Sequence, residues 1–263
     1  MTERWASEVE TLSLEPATTV LCCDFDGTIA DIIDDPQMAQ ATPEALRSLI
    51  SLASRFQSVA VISGRPAGFL QTTLGNEVAS VVHLFGRYGA ERLERDGSVS
   101  APDVTASVRR QFAAIAEEAR LVAPGVRVED KQGSLALHWR ESPGVAERLL
   151  ELSQSKAASG LEVRPGRQMV DLVLPGAPTK GTTLALLLSA GARRGCFLGD
   201  DVGDLDAFDA LDAFEAAGGT AVRIAVGSAE MPSALAERAD LVLADPGEAA
   251  EFLSDLAVVT ASR

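Results

Sequence analysis

Short, uniformly apolar runs recur along the chain and constrain its fold more than any other feature: Val20-Leu21-Cys22-Cys23, Ser58-Val59-Ala60-Val61-Ile62, Val81 to Phe85, Cys196-Phe197-Leu198, Ala221 to Val226 and Leu241-Val242-Leu243. A half-exposed strand alternates polar and apolar residues, whereas these runs read as strands buried on both faces, the pattern of a parallel sheet covered by helices. Helical patterns lie between them. Thr42 can cap a helix that starts at Pro43 and carries Leu46, Leu49, Ile50 and Ala53 on one face. Further helices are expected from Lys180, from Asp204 to Ala216, and from about Glu248 to Leu256. Strand and helix in alternation make an α/β fold.

The pattern changes near Asp103. A long amphipathic helix to about Val122 is followed by two alternating strands, Val126 to Lys131 and Ser134 to Trp139, with Gln132-Gly133 as their turn. A second helix, Pro143 to about Lys156, leads to Leu161-Glu162-Val163-Arg164 and Met169 to Leu174, with a turn at Pro165-Gly166. Helix, two strands, helix, two strands form a compact α+β insert. The expected organisation is therefore a discontinuous parallel-sheet core, residues 1–102 and 178–263, with a cap of residues 103–177.

Thirty-eight acidic against 23 basic residues give a net charge of -15, which argues against a general nucleic-acid or anionic-membrane surface. The first 16 residues hold no apolar leader core, and no stretch approaches the ~20 apolar residues of a membrane span. A soluble, cytoplasmic monomer is expected. Cys22, Cys23 and Cys196 are odd in number and sit in strand-like runs, so they read as buried small hydrophobes; His83 and His138 show no metal-ligand spacing with them.

Ligands of open α/β sheets bind beyond the carboxyl ends of the strands, and four polar sets fall at such ends or at an adjoining helix start. Asp24-Phe25-Asp26-Gly27-Thr28 follows the first strand, Ser63-Gly64 the second, Lys180 opens a helix, and Gly199-Asp200-Asp201 with Asp204 ends the strand after it. Each has an ordinary reading, as an acidic turn, a tight turn, a solvated lysine or a capped helix start. Together they suit phosphoryl transfer, which depends on positioning and charge stabilisation. Asp24 is the candidate nucleophile and Asp26 the candidate general acid and base. Ser63, the Gly64 amide and Lys180 can hold phosphoryl oxygens. Magnesium, which prefers oxygen ligands, suits Asp24, Asp200 and the backbone carbonyl of Asp26.

These four motifs, Asp24 to Thr28, Ser63-Gly64-Arg65, Lys180-Gly181 and Gly199 to Asp204, resemble those of the haloacid dehalogenase-like phosphatases nearly end to end. Within that superfamily the insert is most similar to that of the trehalose-6-phosphate phosphatases, through Val128-Glu129-Asp130-Lys131, Ala136 to Arg140 and Arg164-Pro165-Gly166-Arg167, with Gly89-Ala90-Glu91 before it. The resemblance implies a Rossmann-like parallel-sheet core with an α+β cap, a magnesium cofactor and hydrolysis of trehalose 6-phosphate through an aspartyl phosphate. It implies Asp24 as nucleophile, Asp26 as acid and base, Ser63 and Lys180 as phosphate ligands, Asp200 as the last metal ligand, and Asp201 and Asp204 orienting the metal. It further implies sugar-phosphate contacts from Arg65 in the core and from Glu129, Lys131, His138, Arg164, Gly166 and Asp171 in the cap.

Four positions depart from the pattern. Val173 stands where an Arg is usual, Tyr88 where a His is usual, and Gly203 and Leu205 where a Thr and a Glu are usual. The first two bear on the choice of sugar, so a phosphatase of a related disaccharide or pseudo-disaccharide phosphate is the near alternative. From another class, a receiver-like switch also places an acidic pocket, a Ser and a Lys on a parallel sheet. It needs no acid or base two residues after its phosphorylated Asp.

Overall fold

The structure, a computed structural model, describes residues 3–33, 35–131, 133–166, 168–227 and 231–263. Gln132 of the expected turn and Arg167 of the cap motif lie outside the described residues. The chain forms two compact units, Met1–Ala101 with Pro178–Arg263, and Pro102–Ala177.

The larger unit opens with α1 (Ala6–Ser13), β1 (Thr19–Cys23), α2 (Pro43–Ala53), β2 (Ser58–Ile62), α3 (Ala67–Val81), β3 (His83–Gly86), β4 (Glu91–Leu93) and β5 (Val99–Ser100). The smaller unit follows as α4 (Ala106–Val122), β6 (Arg127–Asp130), β7 (Ser134–His138), α5 (Ala146–Ala158), β8 (Glu162–Gly166) and β9 (Met169–Val173). The larger unit resumes with α6 (Lys180–Leu188), β10 (Arg194–Gly199), α7 (Leu205–Ala216), β11 (Thr220–Val226), α8 (Ser233–Arg238), β12 (Leu241–Leu243) and α9 (Pro246–Ala261).

Eight strands of the larger unit lie in the order β12-β11-β10-β1-β2-β3-β4-β5, parallel from β12 to β3 and antiparallel beyond. Successive side chains of each strand point to opposite faces. Leu21, Cys23, Val59, Val61, Leu198 and Ile224 join one core with Leu49, Leu52, Phe252 and Leu256 from α2 and α9. Val20, Cys22, Ala60, Ile62, Phe197 and Ala225 join the other with Leu184, Leu188, Phe208 and Leu211 from α6 and α7. Burial on both faces is why these strands carry no alternation.

Helix starts follow the local chemistry. The Thr42 hydroxyl accepts from Ala45 N at 3.2 Å with Pro43 in the first turn of α2, and Thr179 and Thr182 form a reciprocal capping box that starts α6 at Lys180. The strand expected from Val81 begins instead at His83, because α3 continues through Val81 before the chain extends at Val82. That helix escapes periodicity because it is interrupted at Gly75 (φ 85°) and its apolar stripe is weak.

Among the described residues, no helix is long and apolar enough to cross a membrane. All three cysteines are free and buried, and burial pushes each thiol above its ordinary pKa. Timed iodoacetamide labelling followed by mass spectrometry is expected to leave Cys22, Cys23 and Cys196 unmodified in the native protein at pH 8 and to label all three in denaturant. Rapid native labelling would contradict this packing.

Candidate active site

Strand β1 ends where two carboxylates begin. Asp24 still donates its amide to Leu198 O at 2.9 Å, one step beyond the β1–β10 ladder, and the next residues turn tightly: the amides of Thr28, Ile29 and Ala30 all bond back to Phe25 O. The turn needs Gly27, whose φ of 77° is left-handed and whose missing side chain makes room for Asp200. A Cβ there would stand 2.1 Å from Asp200 Oδ2.

Asp24, Asp200 and Asp204 are all buried, with carboxylate oxygens within 4.8 Å of one another. Lys180, 3% exposed, enters this group from the first residue of α6, with its Nζ 2.8 Å from Asp24 Oδ2 and 2.6 Å from Asp204 Oδ1. Asp204 Oδ2 accepts from the amides of Asp200 and Asp201, at 2.9 and 3.0 Å. Asp201 accepts from Gly203 N at 2.6 Å, so Asp201 and Asp204 do cap the short turn before α7, and Asp204 holds Lys180 besides. Asp200 takes no part in that cap. Its Oδ1 receives the hydroxyl of buried Thr28 at 3.4 Å, a contact the sequence reading did not include.

The electrostatics follow from crowding. Burial raises Asp24 to about 8, Lys180 opposing and Asp204 and Asp201 adding to the rise. Burial raises Asp200 to about 9, helped by Asp204 and Asp24. Burial works against the Lys180 charge, yet Asp204 and Asp24 outweigh it and hold the ammonium well above its ordinary range. One cation thus faces three buried carboxylates. The donor set fits a magnesium ion: Asp24 and Asp200 offer hard carboxylate oxygens whose ionised form burial disfavours and a bound cation would favour, with both oxygens of Asp204 already engaged.

Asp26 points elsewhere. Its carboxylate forms a two-pronged pair with Arg65, Nε–Oδ2 at 2.8 Å and Nη2–Oδ1 at 2.7 Å. The Arg65 guanidinium lies 4.7 Å over the Phe69 ring, which meets Phe25 edge-on at 6.0 Å between centroids. Arg65, expected as a substrate contact, thus grips the Asp26 carboxylate with two of its nitrogens. Ser63 is 1% exposed at the end of β2, and its Oγ accepts from Arg65 N at 3.2 Å, leaving its own proton to donate. Glu91 receives Ala67 N at 2.8 Å and the Arg87 Nε at 2.7 Å, so this motif residue caps α3 and anchors the loop before it.

In the smaller unit β6-β7-β9-β8 form an antiparallel sheet with two unlike faces. Leu135, Leu137, Val170 and Leu172 pack with Phe112, Ile115, Ala119, Leu149 and Leu152 of α4 and α5. The alternate residues make a polar face: Glu129, Ala136, Asp171 and Arg164 lie in one cross-strand row, and Arg127, His138, Met169 and Gly166 in another. All six cap residues expected as substrate contacts share this face. Lys131 Nζ lies 2.9 Å from both Asp171 oxygens, the pair 5% and 3% exposed, while His138 Nε2 meets Glu129 Oε2 at 3.0 Å. Glu129 and Lys131 thus both pair across strands. Val173 occupies the same face, opposite Ser134 and Glu162.

Residues 22–246 match the model of the trehalose-phosphatase family. Over 201 residues the chain is 34% identical to a trehalose-phosphate phosphatase of Mycobacterium avium, covering 72% of this chain and 50% of that protein. The chain spans about half the length of the curated relatives it matches. The C-terminal domain of a C. albicans trehalose-6-phosphate phosphatase superposes with a TM-score of 0.78 at 22% identity, covering 98% of this chain and 97% of that one. A haloacid dehalogenase-like hydrolase from Bacteroides thetaiotaomicron superposes at 0.62 with 16% identity, over 89% and 98%. At these identities the two structures speak for the fold alone, an α/β core built on a large, mainly parallel sheet.

Two substitutions test this geometry. Gly27→Ala is expected to destabilise the protein by more than the ~1–2 kcal/mol of a left-handed residue, since its Cβ also collides with Asp200. Lys131→Met is expected to cost about 3–5 kcal/mol by breaking its buried ion pair with Asp171, and Lys131→Met with Asp171→Leu to recover most of that loss. Urea denaturation read by circular dichroism measures both.

Proposed function

The chain belongs to the trehalose-phosphatase family, and we propose that it hydrolyses trehalose 6-phosphate to trehalose and phosphate. One observation carries the chemical part of this reading: Asp24, Asp200 and Lys180 meet in one buried cluster at the carboxyl ends of adjacent parallel strands. Asp204, the third carboxylate of the cluster, has a structural role in the turn cap, but Asp24 and Asp200 have no part in it through their side chains. Burying like charges together is costly, and the arrangement makes sense as a site that receives cations and an anionic phosphate.

In the proposed reaction a carboxylate oxygen of Asp24 attacks phosphorus, and the sugar oxygen leaves with a proton from Asp26. Asp26 then takes a proton from water, whose oxygen attacks phosphorus and frees phosphate from the Asp24 acyl phosphate. Arg65 holds Asp26 in place for both transfers. Lys180 and the Ser63 hydroxyl bind phosphoryl oxygens, and Asp204 keeps Lys180 aimed at Asp24. Asp24, Asp200 and the Asp26 backbone carbonyl would hold magnesium, with Asp201 and Asp204 orienting Asp200. When bound, the metal supplies the positive charge that lets a phosphate dianion approach a carboxylate.

The polar face of the smaller unit is proposed to read the sugar. Glu129, Arg164, Asp171 and Lys131 offer charged hydrogen-bonding groups and His138 a ring nitrogen in adjacent rows, with Gly166 beside them, the chemistry that sugar hydroxyls need. Val173 favours a second reading, a related disaccharide phosphate, because it puts a buried apolar group on that face. Asp26, set apart from the metal-type cluster and held by Arg65, speaks for turnover over a phospho-switch.

The reading is tested by phosphate release from a panel of trehalose 6-phosphate, other disaccharide phosphates and hexose phosphates with magnesium. Trehalose 6-phosphate is expected to have the highest kcat/KM; a better relative would move the assignment to the second reading. Asp24→Asn is expected to abolish turnover without lowering the melting temperature. Chelation is expected to stop release and added magnesium to restore it, while Asp200→Asn loses magnesium binding by calorimetry.

A further inference from the structure

Next to the phosphoryl site the backbone adopts a conformation that ordinary residues avoid. Arg87 (φ 50°) and Tyr88 (φ 61°, ψ 18°) are consecutive left-handed residues, and Gln168 is the other non-glycine residue of this kind among those described. Such a conformation persists where its surroundings over-determine it, and outliers of this sort gather at functional sites. Here the surroundings are explicit. Arg87 N donates to Arg65 O and Tyr88 N to Ser63 O, both at 2.9 Å, and the Thr183 hydroxyl donates to Tyr88 O at 3.0 Å. The strained pair is therefore stitched to the loop of Ser63, Gly64 and Arg65 on one side and to α6, three residues from Lys180, on the other.

The consequence is where the phenol lies. Tyr88 rests its ring tip on Gly64: a Cβ built there would stand 2.8 Å from the Tyr88 hydroxyl oxygen and 2.9 Å from Cζ. Gly64 has no side chain, and the hydroxyl takes the space one would fill, at the residue that follows Ser63. A phenol is a neutral donor. It adds a hydrogen bond to an anion without adding charge to a site where Lys180 is already balanced against carboxylates.

We propose that the Tyr88 hydroxyl, set over Gly64, donates a hydrogen bond to the phosphate group of the bound ester. On this proposal Tyr88 acts at the phosphoryl end, not on the choice of sugar expected from its departure from the family pattern, and so it serves every phosphomonoester the protein accepts. The inference rests on the phosphatase reading above and adds to it a residue outside the four motifs.

Tyr88→Phe removes the hydroxyl and keeps the ring. With magnesium present, kcat/KM is expected to fall about 10- to 100-fold, the range for losing a hydrogen bond to a charged group. The fall should be equal for trehalose 6-phosphate and p-nitrophenyl phosphate. The dissociation constant of orthovanadate, measured by calorimetry, should rise by a similar factor with an unchanged melting temperature. Tyr88→His, which keeps a ring donor, should restore part of the loss. Unchanged kinetics, a loss confined to the disaccharide ester, or a loss matched by a lower melting temperature would overturn the proposal. If the wild-type protein turned over no phosphomonoester, the phosphatase reading itself would fall, while the orthovanadate comparison would still decide the place of Tyr88.

Discussion

Lys180 sits between Asp24 and Asp204, at 2.8 and 2.6 Å, with almost no access to water, and much of the site depends on that placement. Three carboxylates brought together in the interior repel one another and lose hydration, and a single ammonium compensates only part of this. The rest of the local structure can be understood as holding the group together regardless. The capping box at Thr179 starts α6 so that Lys180 is its first residue, the amides of Asp200 and Asp201 clamp Asp204, and Gly27 yields space to Asp200. On the proposed function, a magnesium ion would supply the positive charge that lets Asp24 and Asp200 ionise there.

The parallel sheet explains why these groups converge. Strands β1, β2 and β10 run side by side in the same direction, so their carboxyl ends open onto one edge of the sheet. Asp24, Ser63 and Asp200 each lie one step past the last residue of such a strand, and their separation along the chain does not matter. The smaller unit follows the other strand rule. Its antiparallel sheet alternates, so one face closes over α4 and α5 and the other gathers Glu129, Lys131, His138, Arg164 and Asp171. There too a buried charge is tolerated because it is paired, Lys131 against both oxygens of Asp171.

Parts of this were legible in the residues. The apolar runs of β1, β2, β10 and β11 gave themselves away because burial on both faces forbids polar interruptions, and α2 and α6 because Thr42, Pro43 and the Thr179 box mark their starts. Helix α3 and the β4–β5 hairpin did not, since Gly75 breaks the period of the one and the other has strands of three and two residues. Asp24, Ser63, Lys180 and Asp200 were visible as residue types at strand ends. Their side-chain partners were not: Arg65 on Asp26, Asp204 on Lys180, and Thr28 on Asp200 all join residues far apart in sequence.

By itself, then, the sequence determined the class of fold, the strand ends that hold acidic and hydroxyl residues, and the alternation of the insert's strands, because periodicity, turn residues and caps are local properties of the chain. Only the tertiary structure decided which charges neutralise one another. Pairing energies depend on distance and burial, and neither exists until the strands lie side by side. The same holds for Tyr88: its left-handed backbone and its place over Gly64 come from hydrogen bonds to Ser63 and Thr183, contacts that no local pattern encodes.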